Sequence, residues 1–299
     1  MKEVEISIVV PMHNEEGNVL ELYNEIKQSM DAYGRSYEMI FVNDYSSDGT
    51  LKLLKDLSKR DEKFHYCDLE YNVGENWAVF AGVSKSSGRI IVTIDWDIQN
   101  DPKYIPVLVD KLKEGFKVVS GWREKRVDFF QRLAPSVVAN RLISLVSGIT
   151  VHDTGCTLKA YRAEVIKNVY VPKGFNNRFS PVVFNIVNRE FAEVRVPDRI
   201  RKFGKSHYGL ERIFIVLNDL LAIPFVRQRF NTPLARIHDN ILFSIVFLAL
   251  LSVGTVFTNW FWLTALSLLF IMALLSVRLN IKKFIECEHN PRFIIREFI

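Results

Sequence analysis

Short apolar runs alternate with longer amphipathic stretches through the first hundred residues of this 299-residue chain. EISIVVP (5–11) reads as a strand, and the acidic loop HNEEGN leads into a helical pattern over 19–33. YEMIFVND (37–44) is a second strand, and SSDGT opens a second helix that runs through Ser58. KFHYCDLE (63–70) is a third strand, followed by a helix near 76–84, and RIIVTID (89–95) is a fourth. Strand-then-helix alternation at a spacing of about 30 residues predicts an α/β fold with a mostly parallel sheet and crossover helices. Such sheets bind ligands at the carboxyl ends of their strands.

The pattern changes near the other end. From Asn240 to Val277 there is no charged residue in 38 positions. That is too long for one membrane span and suits two of roughly 17–20 residues joined by a tight turn. Thr258, Asn259 and Trp260 mark the turn, and Trp260 and Trp262 are the aromatic residue type found at membrane interfaces. A hairpin buried in a soluble core would carry a polar stripe, which this stretch barely has. Arg227, Arg229 and Arg236 precede it and Arg278, Lys282 and Lys283 follow it, while the turn has no Lys or Arg. The positive-inside rule therefore puts both flanks and the N-terminal domain on the cytoplasmic side. Before the spans, residues 208–230 space their apolar positions like an interface helix broken at Pro224.

Composition adds limits. The formal net charge of +5 is too weak to argue for nucleic acid. Cys67, Cys156 and Cys287 are widely spaced, with no CxxC or Cys/His cluster, so neither a disulfide framework nor a zinc site is expected. MKEVEISIVVPMHNEE is not a signal peptide, because its apolar run is short and closes on Pro11 and an acidic turn. No GxGxxG and no P-loop lysine is present.

Candidate chemistry gathers at the strand ends. His13, Asn14 and Glu15 follow the first strand. Asn43 and Asp44 end the second, with Ser46, Ser47 and Asp48 after them as either ligands or turn and cap residues. Asp95 and Asp97 close the fourth. In an extended stretch residues i and i+2 point the same way, so both carboxylates can face one ligand. Two crowded carboxylates repel unless a cation sits between them or nearby, and a hard divalent ion, Mg²⁺ or Mn²⁺, would also bridge to phosphate oxygens. Arg123, Arg126, Arg132 and Arg141 follow, and Arg201, Lys202, Lys205 and His207 form a later cluster. A metal-bound diphosphate and an anionic acceptor would need several such cations.

PMHNEE, VNDYSSDGT, NVGENWAVFAG, DWDIQNDP, DTGCTLKAYR and RKFGKSHYG, in this order, resemble the family-2 inverting glycosyltransferases over residues 4–220. Within them the chain is similar to the dolichyl-phosphate mannose synthase branch, which includes bacterial polyprenyl-phosphate glycosyltransferases. The resemblance implies a GT-A domain, a Rossmann-like nucleotide-sugar-binding fold, over 1–207. Interface helices (208–237), two transmembrane helices (238–279) and a cytoplasmic tail (280–299) would follow. It implies inverting transfer of a sugar from a nucleoside diphosphate to a polyprenyl phosphate, with Mg²⁺ or Mn²⁺.

By position, Pro11, His13 and Glu15 would line the nucleoside pocket, and Val42 and Asp44 would meet the base. Asp95, Trp96 and Asp97 would hold ribose, diphosphate and metal, with Gln99 as a further metal ligand. Arg123 would sit by the donor phosphates. Arg132, with Arg126 as a rival, would meet the acceptor phosphate, and Arg201 with His207 or Lys205 would clamp the diphosphate. The chain departs from the family pattern at His207, where Lys is usual, at Glu75, where Lys is common, and at the bulky Trp96 and Tyr45. The expected partners are a nucleoside-diphosphate sugar, a polyprenyl phosphate and the bilayer, with a homo-oligomer open and no nucleic acid. Competing readings are a glycosyltransferase acting on a glycolipid or polysaccharide, and a non-catalytic nucleotide-sugar-binding scaffold. A QxxRW-type motif, usual in processive members, is missing.

Overall fold

The computed structural model describes residues 3–123, 144, 149–167, 186–197, 199, 234–257, 261–289 and 293–299. The chain divides into two compact units, one of Met1–Lys173, Asn177–His207 and Arg292–Ile299, the other of Gly174–Asn176 and Tyr208–Pro291.

The first unit is built on an eight-stranded sheet in the order β7-β5-β6-β4-β1-β2-β3-β8. Strands β1 (Ile6–Met12), β2 (Tyr37–Asn43), β3 (Phe64–Leu69) and β4 (Ile90–Thr93) are parallel, with β1 between β2 and β4. β5 (Val118–Arg123) and β7 (Phe191–Val196) pair in parallel. β6 (Lys159–Arg162) runs antiparallel between β4 and β5. Every residue of β1 and β2 is buried, as expected of central parallel strands covered on both faces.

The helices follow the spacing of their apolar residues. α1 (Val19–Tyr33) buries Val19, Leu22, Ile26 and Met30, one stripe at 3.6-residue period, and stops at Gly34 in the left-handed conformation. α2 (Thr50–Ser58) buries Leu54 and Leu57, and α4 (Ile105–Lys113) buries Ile105, Leu108, Val109 and Leu112. Each such side chain contributes about 1.5–3 kcal/mol when fully buried. α3 (Glu75–Lys85) approaches the sheet most closely at Gly82, where a Cβ would lie 2.5 Å from Val9 Cγ1 and 2.8 Å from Val42 Cγ2. A short helix, α5 (Ala163–Ile166), follows β6.

The fourth strand ends earlier than its sequence suggests. β4 stops at Thr93, and Trp96 and Asp97 lie in a turn with Ile98 at φ +58°. The strand alternation invoked to face Asp95 and Asp97 the same way does not reach them.

The stretch expected as a tail, 280–299, is a second correction. Its first part continues a helix to His289, and residues 295–298 form β8, the edge strand beside β3. β8 is antiparallel to β3, with Cys67 opposite Phe298 and Asp68 opposite Glu297. Glu297 meets Lys55 at 2.8 Å, and the rings of Phe293 and Trp77 lie 5.9 Å apart.

The second unit contains α6 (Leu234–Phe257) and α7 (Phe261–His289), which pack on each other. Among the described residues one stretch, Leu263–Cys287, is long and apolar enough to cross a membrane; α6 holds a shorter apolar stretch, Asp239–Ala249. The expected interface helix at 208–230 and the expected turn at 258–260 lie outside the described residues, as does the rest of 208–233.

Candidate active site

The chain order reverses at β1: β2 and β3 lie on one side of it and β4 on the other. The loops leaving the carboxyl ends of these strands meet at such a switch point, where open α/β sheets bind ligands. Among the described residues three other than glycine take positive φ, and all three sit in these loops: Asn14 after β1, Tyr45 after β2 and Ile98 after β4. Left-handed backbone costs roughly 1–2 kcal/mol per residue, and a β-branched residue such as Ile98 is a genuine outlier there. Strain of this kind persists where the surroundings over-determine it, and it clusters at functional sites.

The β1 and β2 loops are laced together. Asn14 N–H donates to Ser46 Oγ at 3.0 Å, and Ser47 N–H donates to Asn14 Oδ1 at 2.7 Å. Glu15 N–H donates to Thr50 Oγ1, and Asp48 accepts from the N–H groups of Glu16 and Thr50. Ser46 and Asp48 thus spend these bonds on loop architecture. His13 is exposed, with Nδ1 2.7 Å from the Asp44 carbonyl oxygen. Asp44 is buried, and its carboxylate accepts from the N–H groups of Val73 at 2.6 Å and Gly74 at 2.8 Å. Gly74 needs to be glycine because its φ is +89°. Val42, expected at the base, is fully enclosed in this structure, with Gly82 of α3 against it. Pro11 is likewise buried in β1, opposite Val42.

The loop after β4 carries the two acids. Asp97 is buried, and its Oδ1 accepts from Gln99 N–H at 3.2 Å. Asp95 is half-buried. Burial, then the like charges of Glu75 and Asp97, push its carboxyl well above the usual carboxylate range, against a Thr157 hydrogen bond and the Arg123 charge. Trp96 is half-buried and packs on the main core.

The segment before β6 holds this loop from behind. Because β6 is antiparallel, its beginning lies at the same end of the sheet as the carboxyl ends of β4 and β5. Asn100 Nδ2 donates to Thr157 Oγ1 at 3.0 Å, Cys156 Sγ lies 3.3 Å from Asn100 Oδ1, and Thr93 Oγ1 donates to the Thr157 carbonyl at 3.0 Å. Lys159, opposite Thr93, is buried; burial holds its ammonium below the usual range, and Cys156, Asp153 and Asp95 oppose that shift.

Arg123 ends β5 beside this segment. It is 8 % exposed, and its guanidinium donates to Asp153 through Nε at 2.8 Å and Nη2 at 3.2 Å. Asp153 and Lys159 stand in the DTGCTLK motif, yet the sequence alone gave neither a role. Arg199 is a third residue missed: it donates through its side chain to Asp101 and Glu25 and through its N–H to the Gln99 carbonyl. Arg126, Arg132, Arg201, Lys205 and His207 lie outside the described residues.

Asp95 and Asp97 fit a divalent cation. A buried carboxyl that also feels the like charge of a neighbouring carboxylate is what a hard cation would relieve. Among the described residues no third His, Cys, Asp or Glu joins them in a preformed cage. Water and phosphate oxygens would therefore complete the shell, which is the habit of Mg²⁺.

Residues 7–170 match the family described as glycosyl transferase family 2. The chain belongs to that family. This family 2 glycosyltransferase is 38 % identical over 230 residues to the dodecaprenyl-phosphate galacturonate synthase of Rhizobium johnstonii, covering 75 % of the present chain and 68 % of the relative. Among solved structures, the glycosyltransferase resembles glucosyl-3-phosphoglycerate synthase of Mycobacterium tuberculosis, seen with Mn²⁺, uridine diphosphate and glucosyl-3-phosphoglycerate. The TM-score is 0.55 at 19 % identity, over 75 % of this chain and 80 % of that one. TarS of S. aureus, in complex with UDP-GlcNAc, gives 0.50 at 17 % identity, over 74 % and 66 %. At these identities the likeness establishes the GT-A fold.

Proposed function

We propose that this enzyme moves a sugar from a nucleoside-diphosphate sugar to a polyprenyl phosphate at the cytoplasmic face of a membrane, with inversion at the anomeric carbon. The observation that carries the reading is the crowded pair Asp95 and Asp97 at the switch point of the sheet. Support for the acceptor comes from the relative named for dodecaprenyl phosphate and galacturonate. Support for the donor and metal comes from structures of glucosyl-3-phosphoglycerate synthase that hold uridine diphosphate together with Mn²⁺.

A polyprenyl phosphate is already an anionic nucleophile, so no strong general base is needed. The protein has to orient two anions against their repulsion and stabilise the leaving diphosphate. Asp95, Asp97 and Gln99 would hold the ion, which when bound supplies positive charge to the diphosphate. His13 and Glu15 would border the nucleoside, with Asp44 fixing the loops around it. Arg123 acts through its field at Asp95 while its fork is held by Asp153. Arg201 with Lys205 or His207 would clamp the diphosphate, and Arg132 or Arg126 the acceptor phosphate.

Two crossings of the bilayer are supported by connectivity. The chain leaves the catalytic sheet, passes through α6 and α7, and returns to it as β8. A segment that starts and ends on one side crosses an even number of times. Phe243 is 74 % exposed, Leu266 64 % and Leu279 61 %, a surface suited to lipid and unlike a soluble core hairpin.

The test is extraction of lipid after incubation with labelled nucleotide sugars and polyprenyl phosphate. An acid-labile lipid-phosphate sugar is expected; label found only in polymer or in a glycolipid overturns the acceptor assignment. Arg132→Ala should then weaken acceptor use about 10- to 200-fold with nucleotide binding kept. If Arg126→Ala does so instead, the acceptor arginine is Arg126.

A further inference from the structure

We infer that Arg199 is a positioning residue that holds the Asp95–Asp101 loop in its strained, ligand-ready turn. Three contacts converge on this one side chain and its own backbone. Nη2 lies 2.6 Å from Asp101 Oδ2. Nη1 lies 2.8 Å from Glu25 Oε2 and 3.1 Å from Oε1. Its N–H donates to the Gln99 carbonyl oxygen at 3.0 Å. Arg199 thus fastens a segment that follows β7 to α1 and to the loop after β4, elements far apart in sequence.

The place where it grips gives the contact its meaning. Ile98, at φ +58°, stands between Asp97 and Gln99. On the near side of Ile98, Asp95 is held by Thr157. On the far side, Arg199 pins the main chain at Gln99 and the side chain at Asp101. Asp101 divides its two oxygens between Arg199 and the Lys103 N–H that starts a 3₁₀ turn at Pro102–Tyr104. A β-branched residue does not choose left-handed backbone by itself, so the turn that separates Asp97 from Gln99 has to be imposed from both ends. Without Arg199, the Glu25 and Asp101 carboxylates lose their shared cation and the far end is released.

Two measurements on the full-length protein in detergent test this. The first is hydrogen exchange over residues 97–104. Arg199→Ala should speed exchange there by about tenfold or more, the scale of one lost charge-assisted hydrogen bond, and leave β1 and β2 unchanged. Arg199→Lys, which keeps the charge and loses the fork, should fall between. Unchanged protection at 97–104, or equal loss in β1 and β2, overturns the inference. The second is binding of UDP, GDP or dTDP with Mn²⁺, using whichever wild type binds best. This half rests on the glycosyl-transfer reading. Arg199→Ala should weaken binding about tenfold or more. Adding Ile98→Gly, which accepts positive φ without strain, should recover much of the loss. Undiminished binding in Arg199→Ala, or no recovery with glycine, overturns the positioning role. If wild type binds none of the three, the proposed donor site fails, and the exchange comparison alone decides the role of Arg199.

Discussion

Arg123 and Asp153 face each other through two hydrogen bonds, 2.8 Å from Nε to Oδ2 and 3.2 Å from Nη2 to Oδ1, where neither side chain is more than 7 % exposed. The pair joins the end of β5 to the segment that backs the Asp95 loop. Removing one partner of a buried pair leaves the other charge uncompensated, which typically costs about 3–5 kcal/mol. Asp153→Asn should therefore lower unfolding free energy by about that amount in a denaturant titration. Arg123→Lys should also fail to restore the site, since an ammonium cannot make the two-pronged contact. A stable Asp153→Asn protein with wild-type turnover would show the pair to be incidental.

The metal assignment predicts that Asp97→Ala loses sugar transfer while keeping its secondary structure and thermal transition. Excess EDTA should do the same to wild type, reversed by Mn²⁺ or Mg²⁺. Full turnover with the chelator present would remove the metal from the mechanism.

Glu75 is the first residue of α3, and its charge bears on Asp95. Glu75→Gln should weaken Mn²⁺ binding in the presence of nucleotide by about 1 kcal/mol, or about fivefold, as one carboxylate leaves the field at the ion. Titration calorimetry of the two proteins decides it. Equal affinities would mean that the Glu75 carboxylate does not reach the ion.

Acid should dissolve a different contact. Burial pushes the Asp61 carboxyl up, but the Lys27 ammonium, the Lys63 N–H and the Tyr23 hydroxyl outweigh it and hold the group below its ordinary value. A carboxyl depressed in the folded state contributes stability that is present above its unfolded pKa of about 4 and lost as pH falls through the folded value. Asp61→Asn should cost about 1–2 kcal/mol at pH 7, and the gap to wild type should close as the pH drops below about 4. A gap that is constant with pH would assign the loss to packing.

At Gly82 the close approach of α3 leaves no room for a methyl group. Gly82→Ala should destabilise the catalytic unit by about 1–3 kcal/mol through overpacking, despite the better helix propensity of alanine. Thermal melts of both proteins check this.

Much of the sheet was legible because its signals are local. The apolar stripe from Val19 to Met30 and the stop at Gly34 fix α1 at the boundaries its spacing predicts. The acids at strand ends could be read as site candidates because parallel sheets bind there. What stayed hidden depends on partners distant in the chain. Nothing in SGWR says that Arg123 is tied to an aspartate 30 residues on, and nothing near Asp101 points to Arg199. Ile98 was hidden for the opposite reason: its residue type argues against the backbone it adopts. The β8 strand was read as tail because IIREF follows a long apolar segment and has no local turn to pair it with a neighbour.

That last strand sets an order of events. A ribosome releases the chain from residue 1 onward, so β3 emerges long before β8 exists. Through the synthesis of α6 and α7 the open edge of β3 has unsatisfied N–H and C=O groups, the kind of template on which strands from other chains assemble. β3 gains its outer neighbour only after α6 and α7 are made. A delay in forming α6 and α7 therefore prolongs the exposure of that edge, and failures of these two helices should show themselves as aggregation of the domain that precedes them.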